Sequence, residues 1–232
     1  SGIQDELEAI DCRFCIRKAS LEFAREKEYI NLFRRAEIGG MLYVGSTLAD
    51  RYLVDLVEAG YPFVFVNSVL PDVALHSVSA DHVSTGRLAT EHLICLGHRR
   101  IGHIAGLELT TSGGERLTGY RAALEAAAIP FDPALVAPGD YDRDTARAAA
   151  RRLLELPDRP TALFVSNDVM ATGVLDLLAE TGIRVPEEIA VVGGDSIELS
   201  NYTRPPLTSV DQDIYGVARE AVVGFVYAAA AA

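Results

Sequence analysis

Short apolar runs alternate along this chain with stretches whose apolar residues recur at helical spacing. In the clearest case, the runs at residues 162–165 and 189–192 end in polar residues and enclose a stretch with apolar side chains at i, i+4, i+7 and i+8: Met170, Val174, Leu177 and Leu178. This pattern predicts a strand, a helix and a second strand, a unit that is almost always parallel and right-handed. Ligands bind beyond the carboxyl ends of parallel strands, so the polar residues there predict a small-molecule site: Asn167, Asp168 and Asp195.

The same alternation extends over the rest of the chain. The spacing predicts helices at residues 2–10, 22–35, 50–59, 84–96, 115–127, 145–156 and 215–227. It predicts strands at residues 13–19, 40–44, 63–66, 101–105 and 135–137, and a last extended segment at 207–210. Repeated alternation of strand and helix predicts an α/β fold with parallel sheets covered by helices on both faces. Roughly four units precede Gly106 and three follow it, which predicts two sheets with a ligand cleft between them.

Composition and charge narrow the functional classes. At 232 residues the chain is long enough for one large or two medium domains, and its net charge of −12 disfavours contact with phosphate backbones. No apolar run approaches the roughly 20 residues that span a bilayer, and no basic-then-apolar leader opens the chain. We therefore expect neither a membrane segment nor a secretory signal. Three cysteines, an odd number, argue against a disulfide framework and favour a reducing compartment, the cytoplasm.

Sequence motifs for catalysis and cofactor binding are not found. The chain has no Gly-x-Ser-x-Gly elbow, no Walker loop, no Gly-x-Gly-x-x-Gly and no His-Glu-x-x-His. Cys12 and Cys15 lie three apart in a predicted strand, so they face opposite sides, and no second pair completes a zinc site. We expect two packing thiols there, and we expect no enzyme activity, no cofactor and no metal.

Three residues are candidates for ligand binding on their own chemistry. Arg116 opens the predicted helix at 115–127, where a cation opposes the positive end of the helix dipole, so a ligand oxygen is a fair partner; a solvated surface arginine is the alternative. Asn167 and Asp195 offer donors and acceptors that suit sugar hydroxyls. For Asn167 and Asp168 the alternative is a helix N-cap, and Asp168 is the expected cap if Asn167 faces the ligand.

Four segments, in this order and spacing, resemble the effector-binding core of the lactose/galactose-repressor (LacI/GalR) family of bacterial transcription regulators. They are TEHL and GHRRI within residues 90–101, ERLTGYR at 115–121, RPTA and NDVMATG within 159–173, and VPEEI and RPPLT within 185–208. The resemblance runs over nearly the whole chain. It implies a periplasmic-binding-protein-like fold with two Rossmann-like lobes joined by three crossover strands. The amino-terminal lobe is then residues 1–106 plus 213–232, and the carboxy-terminal lobe is residues 107–212.

The same resemblance implies a function and its partners. A small-molecule effector, a sugar or a nucleoside-like compound, binds in the interlobe cleft and allosterically controls DNA binding. The chain forms a homodimer through its amino-terminal lobe, and it contacts operator DNA only through a helix-turn-helix headpiece that is absent from this sequence. The expected location is the cytoplasm, without membrane contact. The alternative is a periplasmic sugar-binding protein of a transporter, which shares the fold and the ligand class.

The resemblance also assigns site residues. It makes Arg116, Asn167 and Asp195 effector contacts and adds a stacking aromatic residue, a crossover residue near the cleft and a residue at a helix start: Tyr141, Gln212 and Ser84. Ordinary packing is the alternative for Tyr141, and N-capping is the alternative for Ser84. Residues 45–47 and Asn67 end strands of the amino-terminal lobe and are weaker cleft candidates. Gly194 departs from the family, which often has a large residue there, and we expect it to enlarge the pocket.

Overall fold

A computed structural model describes Leu7, Arg35, residues 39–44, Gly60, residues 62–67 and residues 76–231. Apart from those single residues, the helices predicted at 2–10, 22–35 and 50–59 lie outside the described residues. The strand predicted at 13–19, with the Cys12 and Cys15 pair, and the cleft candidates at 45–47 also lie outside them.

The described elements follow the predicted alternation closely. In chain order they are β1 Met41–Val44, β2 Phe63–Val66, β3 Ser77–Val78, α1 His82–Cys95, β4 Ile101–Ala105, α2 Thr111–Ala126, β5 Val136–Pro138, α3 Arg143–Leu154, β6 Ala162–Val165, α4 Asp168–Glu180, β7 Ala190–Gly193, β8 Thr208–Ser209 and α5 Ile214–Ala231. Short 3₁₀ helices cover Pro133–Leu135 and Glu198–Tyr202. All the strand pairs are parallel.

The chain forms two compact units. Unit 1 comprises residues 1–80 and 213–232, and unit 2 comprises residues 81–212. In unit 1 the strands pair in the order β1-β2-β3, and α5 packs on them. Strand β2 is wholly buried, because its continuous apolar run has no polar alternation to face water.

The first boundary between the units differs from the one expected near Gly106. Strand β4 is hydrogen-bonded between β5 and β6, so it is an interior strand of the unit 2 sheet. Helix α1 packs on α2 of the same unit. We expected α1 and β4 in the amino-terminal lobe, together with the strands that precede them. The hydrophobic pattern of a single strand or helix does not show which sheet it joins.

The sheet of unit 2 has five strands in the order β5-β4-β6-β7-β8. One face is covered by a core that includes Leu93 of α1 and Tyr120 of α2, and the other by a core that includes Leu153 of α3 and Leu178 of α4. A sheet buried on both faces explains the continuous apolar runs of β4, β6 and β7. Since the strands are parallel, their carboxyl ends meet at one edge, where the candidate site lies.

Helix α1 does not bury the residues whose spacing predicts the helix at 84–96 and its inward face. Those residues recur at i, i+4, i+7 and i+8 and are exposed: Leu88, His92, Cys95 and Leu96. The buried side instead carries smaller residues together with Leu93: Thr85, Gly86, Ala89 and Thr90. Small residues allow α1 to approach α2 closely, so contact distance between the helices, rather than hydrophobicity, selects the buried face.

Candidate functional site

Arg116 is the central residue of a polar cluster beyond the carboxyl ends of the unit 2 strands. We call this cluster the polar edge of unit 2; its members are Arg116, Tyr141, Asp195 and Gln212. Helix α2 begins at Thr111, earlier than predicted, so Arg116 lies in the second turn and not at the helix start. It is only 4% exposed, which excludes a solvated surface arginine. Its Nη2 lies 3.2 Å from Asp195 Oδ1, and its Nη1 donates to Tyr141 Oη at 3.3 Å. The carboxylate of Asp195, rather than relief from a helix dipole, therefore compensates the guanidinium.

Asp195 follows β7 and is the acceptor at the middle of this network. Besides Arg116, its Oδ1 accepts a hydrogen bond from Gln212 Nε2 at 2.8 Å, and Gln212 also donates to the Gly194 carbonyl. Burial raises the pKa of the Asp195 carboxyl above its usual value, Asp168 raises it further, and Arg116 opposes the shift. The side chain of Asp195 keeps 20% exposure, so the edge of the network reaches solvent.

Tyr141 is presented by a loop with an unusual backbone. Asp140 and Tyr141 both have positive φ, 53° and 57°. Such a backbone persists for non-glycine residues only where the surroundings hold it, and it is concentrated at functional sites. The hydroxyl lies 2.9 Å from Ser112 Oγ, and the ring lies on Gly106, where a Cβ would come within 2.3 Å of it. Packing on Gly106 is thus part of the role of Tyr141, and its hydroxyl belongs to the Arg116 network.

Asn167, and not Asp168, caps helix α4. Asn167 is the N-cap of α4: its Oδ1 accepts from the Met170 amide at 2.8 Å. Its side-chain nitrogen has no hydrogen bond among the described residues. The expectation that Asp168 caps the helix is wrong, because its backbone is already helical and its carboxylate turns inward to the neighbouring loop.

Asp168 organises the loop that carries Asp195. It is fully buried, and its two oxygens accept five hydrogen bonds. The donors are the amides of Gly194 (3.0 Å), Asp195 (3.2 Å) and Ile197 (3.1 Å) and the hydroxyls of Ser200 and Ser209 (2.6 Å). Sequence reasoning placed Asp168 at the edge of the sheet but missed this role, since its partners lie 26 to 41 residues away.

Ser84 and Asn67 make local hydrogen bonds at the ends of their own elements. Asp81 caps α1 and accepts from the Ser84 amide at 2.8 Å, so the N-capping alternative for Ser84 is wrong. The described contacts do not join Ser84 to Arg116 or Asp195. Asn67 belongs to unit 1, where its Oδ1 accepts from the Ala80 amide at 3.1 Å.

Gly194 permits a close approach between the ends of β6 and β7. A Cβ at this position would lie 2.6 Å from the carbonyl oxygen of Ser166 and 3.4 Å from Thr85 Cγ2. Any side chain would force this backbone apart. That Gly194 enlarges the pocket stays a prediction.

The described residues contain no group of three or more histidine, cysteine, aspartate or glutamate side chains that could hold a metal ion. Within the same part of the chain, none of the helices is both long and apolar enough to cross a membrane.

Comparison with known proteins identifies relatives over most of the chain. A family model described as a periplasmic binding protein-like domain matches residues 90–224, which is more than half of the sequence. The chain is 37% identical over 199 residues to the HTH-type transcriptional repressor CytR of Escherichia coli (strain K12), covering 86% of this chain and 58% of CytR. It is 42% identical over 185 residues to the HTH-type transcriptional regulator CelR of Thermobifida fusca, covering 79% and 54%. The chain thus spans about half the length of these relatives.

Solved structures agree with the sequence relatives. The transcriptional regulator CelR in complex with cellobiose superposes with a TM-score of 0.89 at 34% identity, over 99% of this chain and 71% of that one. The transcription regulator CcpA of Lactococcus lactis superposes with a TM-score of 0.91 at 29% identity, over 99% and 84%. The fold is therefore the α/β, periplasmic-binding-protein-like fold that the sequence motifs imply. The chain belongs to the LacI/GalR family, as its periplasmic binding protein-like core.

Proposed function

We propose that this chain is the effector-sensing core of a bacterial transcriptional regulator, and that it binds an uncharged, hydroxylated small molecule at the polar edge of unit 2. The single observation that carries the proposal is the buried Arg116–Asp195 pair, with its donors and acceptors gathered at the carboxyl end of a parallel sheet. Polar groups that converge at such a sheet edge are typical of small-molecule sites.

The charge balance of the site argues for an uncharged ligand. Arg116 and Asp195 neutralise each other at 3.2 Å, so an anionic ligand would gain little from the guanidinium and would approach the Asp195 carboxylate. A hydroxyl group both donates to a carboxylate and accepts from a guanidinium, so a sugar or the ribose of a nucleoside matches the site. Tyr141 offers an aromatic ring beside this pair, and Asn167 offers an amide donor.

The named relatives support a regulator over a transporter's binding protein. They are HTH-type transcription regulators, and CelR was solved with cellobiose. In this proposal the chain dimerises through its amino-terminal lobe, a headpiece outside this sequence contacts operator DNA, and the protein works in the cytoplasm. The effector binds one conformation better than another and shifts the population, and linkage then changes operator affinity by the same coupling free energy.

A thermal-shift screen tests the effector class. The compounds are glucose, cellobiose, other neutral mono- and disaccharides, nucleosides and sugar phosphates. A compound present at about 100 times its Kd stabilises the protein by about 2.7 kcal/mol, which raises Tm by roughly 5–10 °C in a chain of this size. We expect a neutral compound to give this shift, and a panel without any shift contradicts the proposed effector class.

Two variants show where the compound binds. Gln212→Ala removes a donor to Asp195 without leaving a buried charge unpaired, and we expect it to reduce the shift. Arg151→Ala changes an exposed arginine of α3, and we expect the full wild-type shift. An unchanged shift in Gln212→Ala would place the compound elsewhere.

A further inference from the structure

His82 is a buried polar residue whose place in the fold is not explained by any described contact. It is the first residue of α1, next to the capping residue Asp81, and it is only 2% exposed. Neither of its ring nitrogens has a hydrogen-bond partner among the residues that the structure describes. Buried polar groups in folded proteins are nearly always hydrogen-bonded, so two unpaired nitrogens on one ring indicate a missing partner.

His103 is a second buried histidine of unit 2, and its contacts differ from those of His82. Its Nδ1 lies 3.2 Å from the Phe164 carbonyl oxygen. Its ring stacks between Phe164 and Tyr120, with centroids 4.6 and 5.2 Å away. Its Nε2 has no partner among the described residues, but the Nδ1 contact and the two ring stacks explain its position in the core. In the described structure His82 has neither a hydrogen bond nor a ring stack, so packing alone does not explain its imidazole.

The surroundings of His82 keep its imidazole uncharged. Its pKa is lowered to about 4, first by burial and then by the nearby charge of Arg116, while Asp81 opposes the shift. At neutral pH the ring therefore offers one N–H donor and one unprotonated acceptor nitrogen. A group with both kinds of capacity pairs best with an oxygen that can also donate and accept.

Arg116 supplies a second unpaired group in the same region. Its Nη1 and Nη2 bind Tyr141 and Asp195, but its buried Nε has no partner in the described part of the chain. Gly86, one turn after His82 on α1, brings that helix against the backbone of Arg116: a Cβ there would lie 2.1 Å from the Arg116 carbonyl oxygen. Residues four apart lie on one helix face, so His82 and Arg116 are carried by backbone segments in contact.

We propose that His82 and the Nε–H of Arg116 form a subsite for one hydroxyl oxygen of the effector, with His82 as a specificity-determining residue. The oxygen accepts from the arginine Nε–H and donates to the acceptor nitrogen of the ring. An ionised phosphate or carboxylate oxygen only accepts, so it would pair with His82 only through the ring N–H, whereas a hydroxyl can pair with either ring nitrogen. A hydrogen atom in place of the hydroxyl leaves both protein groups unpaired, which a site built for hydrogen bonding discriminates against strongly.

The subsite rests on the proposed function, and deoxy analogues test it. Glucose, cellobiose and adenosine are titrated calorimetrically into wild-type protein, and the member that binds is then compared with each of its monodeoxy analogues. We expect one analogue to bind at least about tenfold more weakly than its parent. In His82→Leu the same replacement is expected to change affinity by less than about threefold, because only the Arg116 Nε–H then remains to bind that hydroxyl.

Two further variants separate recognition from folding. His82→Asn keeps a donor and an acceptor, and we expect it to restore part of the discrimination. His92→Leu makes the same chemical change on the exposed side of α1 and is expected to behave as wild type. Circular dichroism melts establish that each variant is folded.

The outcomes distinguish the two proposals. Equal losses for every deoxy analogue in wild type and His82→Leu overturn the hydroxyl subsite while leaving the proposed function standing. A wild-type protein that binds none of the three probes, nor any other neutral compound of the screen, overturns the proposed effector class and the subsite with it.

Discussion

Arg116 and Asp195 are two charges that each depend on the other. Arg116 is almost completely buried and Asp195 mostly so, and they lie 3.2 Å apart. Removing water from a charge is strongly unfavourable, so a buried ion stays ionised only with a partner and further hydrogen bonds. Tyr141 and Gln212 supply those hydrogen bonds. The residues that we expect to bind the effector are therefore also the residues that keep each other ionised in the interior.

Arg116→Met should destabilise the protein by roughly 3 kcal/mol, because it leaves the Asp195 carboxylate buried without a counter-charge. The double variant Arg116→Met, Asp195→Leu should lose less than the sum of the two single changes, since neither charge is then left unpaired. Urea unfolding of the three variants measures these free energies. Strictly additive losses would show that the two side chains do not interact in solution.

Asp168 supports the site without facing it. Five hydrogen bonds converge on its two oxygens, and three of them come from backbone amides between residues 194 and 197. Asp168→Asn replaces one carboxylate oxygen by an NH₂ group. That group can only donate, so the N–H and O–H groups that bind this oxygen lose their acceptor. We expect a loss of about 2–4 kcal/mol in unfolding free energy.

The matched control for this change is Asp176→Asn on α4. Asp176 pairs with Arg143 at the surface, with both side chains about half exposed, so we expect a loss below about 1 kcal/mol. Similar losses for the buried and the exposed aspartate would contradict the organising role of Asp168.

At the scale of elements, the contact between α1 and α2 is made by backbone. A Cβ at Gly119 would lie 2.0 Å from the Val83 carbonyl oxygen, and one at Gly86 would lie 2.1 Å from that of Arg116. These two glycines set the distance between the helices, and the helices carry His82 and Arg116. The geometry of the proposed hydroxyl subsite thus depends on residues that have no side chain.

Gly119→Ala should be destabilising although alanine is the better helix former, because the new methyl group meets backbone that cannot move aside independently. Gly114→Ala, on the same helix, should instead stabilise by up to about 1 kcal/mol, since a methyl group there would meet nothing within 4 Å and only helix propensity changes. Thermal unfolding compares the two. Equal effects of both substitutions would mean that α1 and α2 are farther apart in solution.

Except for β3, the described strands and helices were predictable because they follow local periodicity. Helices α1, α2 and α3 each begin two to four residues before their predicted starts, since the caps Asp81, Thr110 and Asp142 precede the first apolar residues. The sheet to which β4 belongs was not predictable, because strand pairing joins residues far apart in sequence. The exposed face of α1 was missed for a related reason: the buried face is selected by the glycines of its contact with α2.

The candidate site was predictable in part. Position at a strand end pointed to Asn167, Asp168 and Asp195, and the structure brings Asp195 together with Arg116, Tyr141 and Gln212. The roles within the site were not predictable, because adjacent residues such as Asn167 and Asp168 have the same local context. Only the loop of residues 194–197, which folds back on Asp168, decides that Asn167 caps the helix.

For the whole molecule, buried histidines make stability depend on pH. Burial lowers the pKa of both His82 and His103 from 6.5 to about 4. The unfolded chain then binds more protons than the folded one between these values, so stability is fully present above about pH 6.5 and is lost as the pH falls towards 4. A shift of this size corresponds to roughly 3 kcal/mol per histidine. The raised pKa of Asp195 acts in the opposite direction.

The double variant His82→Leu, His103→Phe should therefore flatten the dependence of Tm on pH between 6.5 and 4. His92→Leu, which replaces an exposed histidine of α1, should leave that dependence unchanged. Melting curves at half-unit pH intervals measure both. A slope that survives in the double variant would assign the acid sensitivity to carboxylates instead.

In our proposal, the Arg116–Asp195 edge of unit 2 is a charge-balanced site for an uncharged, hydroxylated effector. It is tested by calorimetric titration of matched pairs: glucose with glucose 6-phosphate, cellobiose with its phosphate and adenosine with its 5′-monophosphate. We predict that in the pair that binds, the neutral compound binds at least about tenfold more tightly, which corresponds to about 1.4 kcal/mol, and that Gln212→Ala weakens it. Tighter binding of the phosphorylated member would contradict this proposal. It would require an unpaired positive charge at the site, whereas Arg116 is paired with Asp195 in the structure.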